Sequence, residues 1–291
     1  MKNIELRKVK LPNGETYRYR YCSGGEKNIL LIHGNLATSK YYDELMEALP
    51  EDYTIYAVDM RGFGASTYNT PISSLRDIAE DIKLFADELD LHKFDLVGWS
   101  TGGAVSMHFT ANYGHMVNRL FLLASAGALG YPSYRIDENG NRILLRTKEE
   151  IAIDPAKVGF LKAIENKDKE FYKKIFDAYI FSHRKPEPNK YDEYLEDSLK
   201  QQNIVDIYYS LGSFNITDDF NGISMGTGEI KNIKVPTAVI QGEEDKLVTL
   251  QMAQSIEDGI GKNAKMILLK DSGHTPFFDK LDEVVKIITE F

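Results

Sequence analysis

FDLVGWSTGGAVSMHF, residues 94–109, decides the fold. Its first six residues are almost all apolar, as in a strand buried on both faces. Gly98-Trp99-Ser100-Thr101-Gly102-Gly103 follows, and a helical pattern begins at Thr101. One serine between glycines therefore stands where a buried strand hands over to a helix. A tight turn there pushes Ser100 out at the carboxyl edge of a sheet. Gly98 and Gly102 let the turn and the helix close without clashes. The free N–H groups at the helix start, Thr101 first, then face negative charge developing beside Ser100.

The same alternation runs through the chain. Residues 4–10 and 16–21 flank Pro12-Asn13-Gly14 and read as a hairpin. Apolar runs at 28–32, 54–58, 94–99, 119–124, 237–241 and 265–269 read as strands. Helical spacing lies between them at 40–49, 73–89, 101–113, 249–260 and 281–291. The clearest is 73–89, where Leu75, Ile78, Ala79, Ile82, Phe85 and Leu89 share one face. Strands alternating with helices predict an α/β fold with a mostly parallel sheet covered on both faces. Residues 127–225 break the rhythm. They are helical in parts (171–181 and 191–199), polar in others, and rich in tyrosine and phenylalanine. They are expected to form a helical cap over a core made of 1–126 and 226–291.

Composition narrows the function. The chain has 291 residues, enough for a large core with an insertion, and a net charge of −9. That charge argues against nucleic acid and anionic membrane surfaces, which want a basic face. Cys22 is the single cysteine, so no internal disulfide forms, and it reads as an ordinary strand residue. The start of the chain has no apolar signal segment, and no stretch is long enough to span a membrane. A cytoplasmic protein is expected. No Cys/His clustering suggests zinc, and no metal or organic cofactor is expected.

Three further motifs sit at strand ends. Residues 28–32 run into His33-Gly34-Asn35-Leu36, a loop placed to give a second oxyanion N–H. Asn35 is the expected donor and Leu36 the fallback; both are also expected to touch substrate. His33 reads as a brace of that loop. Residues 237–248 end a strand in Gly242-Glu243-Glu244-Asp245. Asp245 is the candidate acid, with Glu243 and Glu244 competing on charge alone. The last strand leads into Asp271-Ser272-Gly273-His274-Thr275-Pro276, which places His274 in a short loop before the final helix. His92, His108, His115 and His183 read as surface or packing residues. Trp99 either lines the pocket or packs behind the turn.

Nucleophile, acid and histidine in the order Ser100, Asp245, His274, each after a strand, resemble the α/β-hydrolase superfamily over essentially the whole chain. Asp59-Met60-Arg61-Gly62-Phe63-Gly64-Ala65-Ser66 adds to this, being similar to that family's D-x-R-G-x-G-x-S turn. The resemblance implies an eight-stranded sheet with a cap after the sixth strand, as in lidded esterases. G-W-S-x-G-G is similar to pimeloyl-carrier methyl ester esterases and to some polyhydroxybutyrate depolymerases. H-G-N is similar to haloalkane dehalogenases, but those enzymes and epoxide hydrolases carry aspartate where this chain has Ser100. The expected activity is therefore hydrolysis of a small-molecule carboxylic ester through an acyl-enzyme. Ser100, His274 and Asp245 would form the triad, and Asn35 and Thr101 the oxyanion hole. The cap aromatics suggest an apolar or aromatic acyl group rather than a charged one. Carbon–carbon bond hydrolysis, perhydrolase or haloperoxidase activity and a non-catalytic receptor are the alternatives.

Overall fold

The computed structural model describes residues 2–291. Eight strands form one sheet in the order β1-β2-β4-β3-β5-β6-β9-β10. They are β1 (Glu5–Lys10), β2 (Thr16–Cys22), β3 (Lys27–Ile32), β4 (Tyr53–Val58), β5 (Phe94–Trp99), β6 (Val117–Leu123), β9 (Thr237–Gly242) and β10 (Ala264–Leu269). The hairpin β1–β2 is antiparallel, as is the pairing of β2 with β4; every other neighbouring pair is parallel. The central strands β5 and β9 are buried along their whole length, which is why they read as unbroken apolar runs.

Helices cover both faces. They are α1 (Asp43–Ala48), α2 (Leu75–Glu88), α3 (Thr101–Tyr113), α9 (Leu250–Ile260), α10 (Pro276–Asp279) and α11 (Leu281–Glu290). Each face has its own apolar cluster. One gathers Ile32, Leu96, Ile78, Ile82, Phe85 and Val105; the other gathers Leu31, Val97, Phe121, Ile240, Val284 and Ile288. Adjacent strand residues go to opposite clusters, as the two-residue period of a pleated sheet requires. Helix α2 begins with a capping box between Ser74 and Asp77 and buries the stripe that its sequence spacing marks out.

Two stretches depart from the expected elements. Residues 40–49 are not one helix but a 3₁₀ turn, Ser39–Tyr42, followed by α1. The turn carries Tyr42 to the Ile32 carbonyl (3.0 Å) and Tyr41 onto the Tyr194 ring. The stretch between β6 and β9 is not wholly helical. It opens with a small antiparallel hairpin, β7 (Tyr134–Ile136) and β8 (Arg142–Leu144). Asp137 closes this hairpin by accepting the Asn139 and Asn141 N–H groups. Five helices follow: α4 (Lys148–Ile153), α5 (Pro155–Glu165), α6 (Lys169–Ile175), α7 (Pro188–Ser198) and α8 (Ile204–Ser213). A π-helical turn, Phe176–Ile180, extends α6. No helix among the described residues is long and apolar enough to cross a membrane.

Strand register places the loops that matter. Ile32 pairs with Gly98, so the segment after β3 emerges beside Ser100. Leu269 pairs with Gly242, so the segments carrying Asp245 and His274 emerge side by side. All four leave the carboxyl edge of the sheet, where ligands of open α/β folds bind.

The turn after β4 is braced from below. Asp59 accepts N–H groups from Ser39 (2.9 Å) and Ala65 (3.1 Å). Buried Arg61 pairs with buried Asp81, donating Nε–H to Oδ2 at 2.6 Å, and Tyr17 donates to the same oxygen at 2.8 Å. Burial raises the Asp81 carboxyl above its ordinary value against the opposing pull of Arg61. Removing one partner of such a pair leaves an uncompensated buried charge. Arg61→Met should therefore lower unfolding free energy by about 3–5 kcal/mol in urea titrations. Lys83→Met, at the partly exposed Lys83–Asp87 pair, should change it by less than about 0.5 kcal/mol.

Candidate active site

Ser100 is one of six non-glycine residues at positive φ among the described residues. Its φ of 53° and ψ of −116° lie outside the regions that ordinary L-residues adopt, a conformation costing roughly 1–3 kcal/mol. Three main-chain hydrogen bonds hold it there. Its N–H donates to Leu123 (3.0 Å), and its carbonyl accepts from Gly103 (3.0 Å) and Ala126 (3.1 Å). The flanking glycines are required by close approach. A Cβ on Gly98 would lie 2.4 Å from the Gly102 carbonyl oxygen, and one on Gly102 would lie 2.1 Å from that of Ile32. Helix α3 can thus start directly under the strand ends.

The acid and the histidine meet as their strand register dictates. His274 Nδ1 lies 2.9 Å from Asp245 Oδ2, with both side chains buried. Asp245 Oδ1 accepts the N–H groups of Leu247 (2.8 Å) and Val248 (3.0 Å), and Gln241 donates to Oδ2 at 3.1 Å. Burial pushes this carboxyl up, but the His274 charge and hydrogen bond and the two amides outweigh it. The net effect holds Asp245 below the ordinary carboxylate range. An ionised Asp245 fixes the proton of His274 on Nδ1 and leaves Nε2 as an acceptor. Glu243 and Glu244 point to solvent, so geometry separates them from Asp245.

Ser100, Thr101, Asn35, Leu36 and His274 line one cavity of about 280 Å³. No hydrogen bond joins the Ser100 hydroxyl to His274. The N–H groups of Asn35 and Thr101 have no partner among the described residues, whereas that of Leu36 donates to Gln201 Oε1 at 3.2 Å. Leu36 is thereby removed as a donor, although its side chain still lines the cavity. Trp99 does not line it. The indole is buried behind the turn, edge-on to Phe277, and donates Nε1–H to the His274 carbonyl at 2.7 Å. Of the two readings of Trp99, lining the pocket as a substrate contact or packing behind the turn, the structure corrects the first to the second, with the indole supporting the histidine loop.

The far wall comes from the β6–β9 insertion. Phe160, Ile175, Tyr179, Ile180, Tyr208 and Leu211 face the cavity. Tyr172 packs among the insertion's own aromatics, Phe160, Phe171 and Phe176, whereas Phe181 and Tyr194 pack against Tyr41, and Phe181 also against Phe278, and so tie the insertion to the sheet domain. The wall is not wholly uncharged, since Lys157 also enters it. Gln201 and Asn203 are further additions. Gln201 donates to Asn35 Oδ1 (2.8 Å) and Asn203 Oδ1 (2.9 Å), and Asn203 donates to the Arg61 carbonyl (2.7 Å). Nothing in the spacing of Gln201-Gln202-Asn203 marks them, because their partners lie more than a hundred residues away.

His33 is buried and takes no part in the cavity. Nε2 accepts the Met60 N–H at 3.1 Å, and Nδ1 lies 2.7 Å from the Gly34 carbonyl. The ring therefore carries its proton on Nδ1 and is neutral. Among the described residues, no group of three or more His, Cys, Asp or Glu side chains is placed to hold a metal ion.

The family model described as alpha/beta hydrolase fold matches residues 27–281. The chain belongs to the α/β-hydrolase family. It is 25% identical over 281 residues to the AB hydrolase superfamily protein YisY of Bacillus subtilis, covering 92% of each chain. It is 28% identical over 283 residues to the monoacylglycerol lipase ABHD6 of Bos taurus, covering 94% of this chain and 78% of that protein. Among solved structures, an esterase from Exiguobacterium antarcticum superposes with a TM-score of 0.74 over 97% of each chain at 20% identity, a likeness of fold. Membership makes the chain a hydrolase of this family without naming the bond it cleaves.

Burial pushes the His33 imidazole down to about 4. The unfolded chain takes up this proton near its ordinary value of about 6.5, so the stabilising contribution is complete above that pH. It is lost progressively as pH falls from about 6.5 to about 4. Thermal unfolding measured across this window should show a falling Tm, and His33→Gln should flatten the fall.

Proposed function

We propose that the protein hydrolyses a small carboxylic ester through an acyl-enzyme on Ser100. The observation that carries this reading is the buried Asp245–His274 pair opening onto the same small cavity as a serine in a strained strand-to-helix turn. His274 Nε2 takes the proton as Ser100 Oγ attacks the ester carbonyl. Asp245 holds the imidazole in the required tautomer and stabilises the imidazolium. The N–H groups of Asn35 and Thr101 stabilise the tetrahedral oxyanion. The imidazolium then protonates the leaving alcohol, and the same nitrogen activates a water that releases the acid. The serine–histidine hydrogen bond forms in the substrate complex, as is common for sites that are loose when empty. The insertion acts as a cap, its apolar side chains holding the hydrocarbon part of the substrate. The monoacylglycerol lipase relatives support ester hydrolysis, and a relative named 2-hydroxy-6-oxononadienedioate/2-hydroxy-6-oxononatrienedioate hydrolase, from Escherichia coli and 23% identical over 291 residues, keeps carbon–carbon bond cleavage as the second reading.

Hydrolysis of p-nitrophenyl esters from acetate to octanoate tests the proposal. Turnover should favour the shorter acyl chains, because a cavity of about 280 Å³ is at the small end for ligand sites. Ser100→Ala and His274→Ala should each lower kcat by several orders of magnitude, and Asp245→Asn by roughly 10⁴-fold. Near-normal turnover by Ser100→Ala would refute the nucleophile assignment.

A further inference from the structure

The cavity adjoins a larger outer groove of about 920 Å³, and Tyr131, Lys157, Tyr208 and Leu247 line both, forming the neck where the two meet. The charge of this route is opposite to that of the molecule. The chain carries −9 overall, yet Arg142, Lys157 and Lys246 line the groove against one carboxylate, Asp219. Among the described residues, Arg142 and Lys246 have no carboxylate within ion-pair distance. Arg142 instead lies over the Tyr134 ring at 4.2 Å.

Lys157 is the informative member. Only 13% of its side chain is exposed, and its ammonium sits 4.4 Å above the Tyr208 ring. Asp154 Oδ1 forms a loose ion pair with Nζ at 4.0 Å, too far for a hydrogen bond. That oxygen instead accepts the backbone N–H of Lys157 at 3.3 Å and caps α5. The three ammonium donors therefore have no hydrogen-bond acceptor among the described residues. Burial holds the group below the ordinary lysine value, with Asp154 opposing the shift. A largely buried cation with unused donors at the mouth of a cavity is a mark of a ligand site more than of a stabilising contact. Tyr208 gives the scale. Its ring lies under the ammonium, and it lines the same cavity as Asn35, so one tyrosine reaches from Lys157 into the cavity that the Asn35 loop also lines.

We propose that the neck is a carboxylate subsite: the ester cleaved at Ser100 carries a free carboxylate that the Lys157 ammonium binds, with Arg142 and Lys246 drawing it in along the groove. This rests on the ester-hydrolase reading and narrows its substrate class to half-esters of short dicarboxylic acids, or esters of similar span. Cations focused in a low-dielectric cleft raise the local concentration of an anionic substrate and its rate of encounter.

The test compares p-nitrophenyl half-esters of succinic, glutaric and adipic acid with their neutral methyl diesters. The wild type should prefer a half-ester by about tenfold or more in kcat/KM at low salt, less at high salt. Lys157→Met should lower that preference by about tenfold, mainly through KM, and Lys157→Arg should keep most of it. Calorimetric titration with adipate gives a readout independent of turnover: binding by wild type, lost in Lys157→Met. Circular dichroism checks that each variant is folded. Equal or better use of the neutral diesters by wild type, or a preference that survives Lys157→Met, overturns the subsite while leaving ester hydrolysis intact. Adipate binding through Lys157 without turnover of any ester keeps the subsite and rejects the hydrolase reading. No adipate binding and no half-ester preference rejects the subsite.

Discussion

The backbone of Ser100 is the constraint from which the site follows. A residue held at positive φ relaxes unless its neighbours forbid it. Here β6 and its following loop fix both its N–H and its carbonyl, and α3 closes on the same carbonyl. Gly98 and Gly102 bring α3 so near the strand ends that no methyl group fits between them. Because β3 and β5 pair in parallel, the Asn35 loop leaves the sheet next to this turn. Because β9 and β10 pair likewise, Asp245 and His274 arrive together. The sheet edge thus sets the arrangement, with little left to loop flexibility.

A second set of contacts ties the insertion to that edge. Gln201 bonds both the Leu36 N–H and the Asn35 side chain, and Asn203 bonds the carbonyl of Arg61. Arg61 is itself fixed by Asp81. A chain of polar contacts therefore runs from the buried base of the β4 turn, through the loop between α7 and α8, to the Asn35 loop. Arg61, Asp81, Gln201 and Asn203 are buried, Asn35 is partly buried, and each side chain is paired, the condition under which such a network rigidifies rather than destabilises. Movement of the α7–α8 loop would reach the Asn35 loop through the Asn35 side chain and the Leu36 N–H. The shape of the cavity and the position of the Asn35 loop are coupled in this way.

Legibility in the sequence followed physical range. The sheet strands announced themselves because burial on both faces demands continuous apolar runs. Ser100 and His274 were readable because glycines and a strand end accompany each. Asp245 was separated from Glu243 and Glu244 only by side-chain direction, which sequence does not carry. The hairpin β7–β8 escaped because its strands are three residues long and mostly exposed, leaving only a turn signal at Asp137 to Gly140. Trp99 could face either side of the turn until the His274 carbonyl was seen to hold its indole. No sequence pattern singles out Lys157, because its place in the wall depends on how α5 packs against α8.

The central claim is that Ser100, uniquely activated by its turn and by His274, forms the covalent intermediate. The most direct test is to treat the intact protein with a fluorophosphonate and locate the adduct by peptide mass spectrometry. The account predicts one adduct, on Ser100 within residues 94–109, that is absent from His274→Ala. No adduct, or one on Cys22 or Ser272 in place of Ser100, would contradict it.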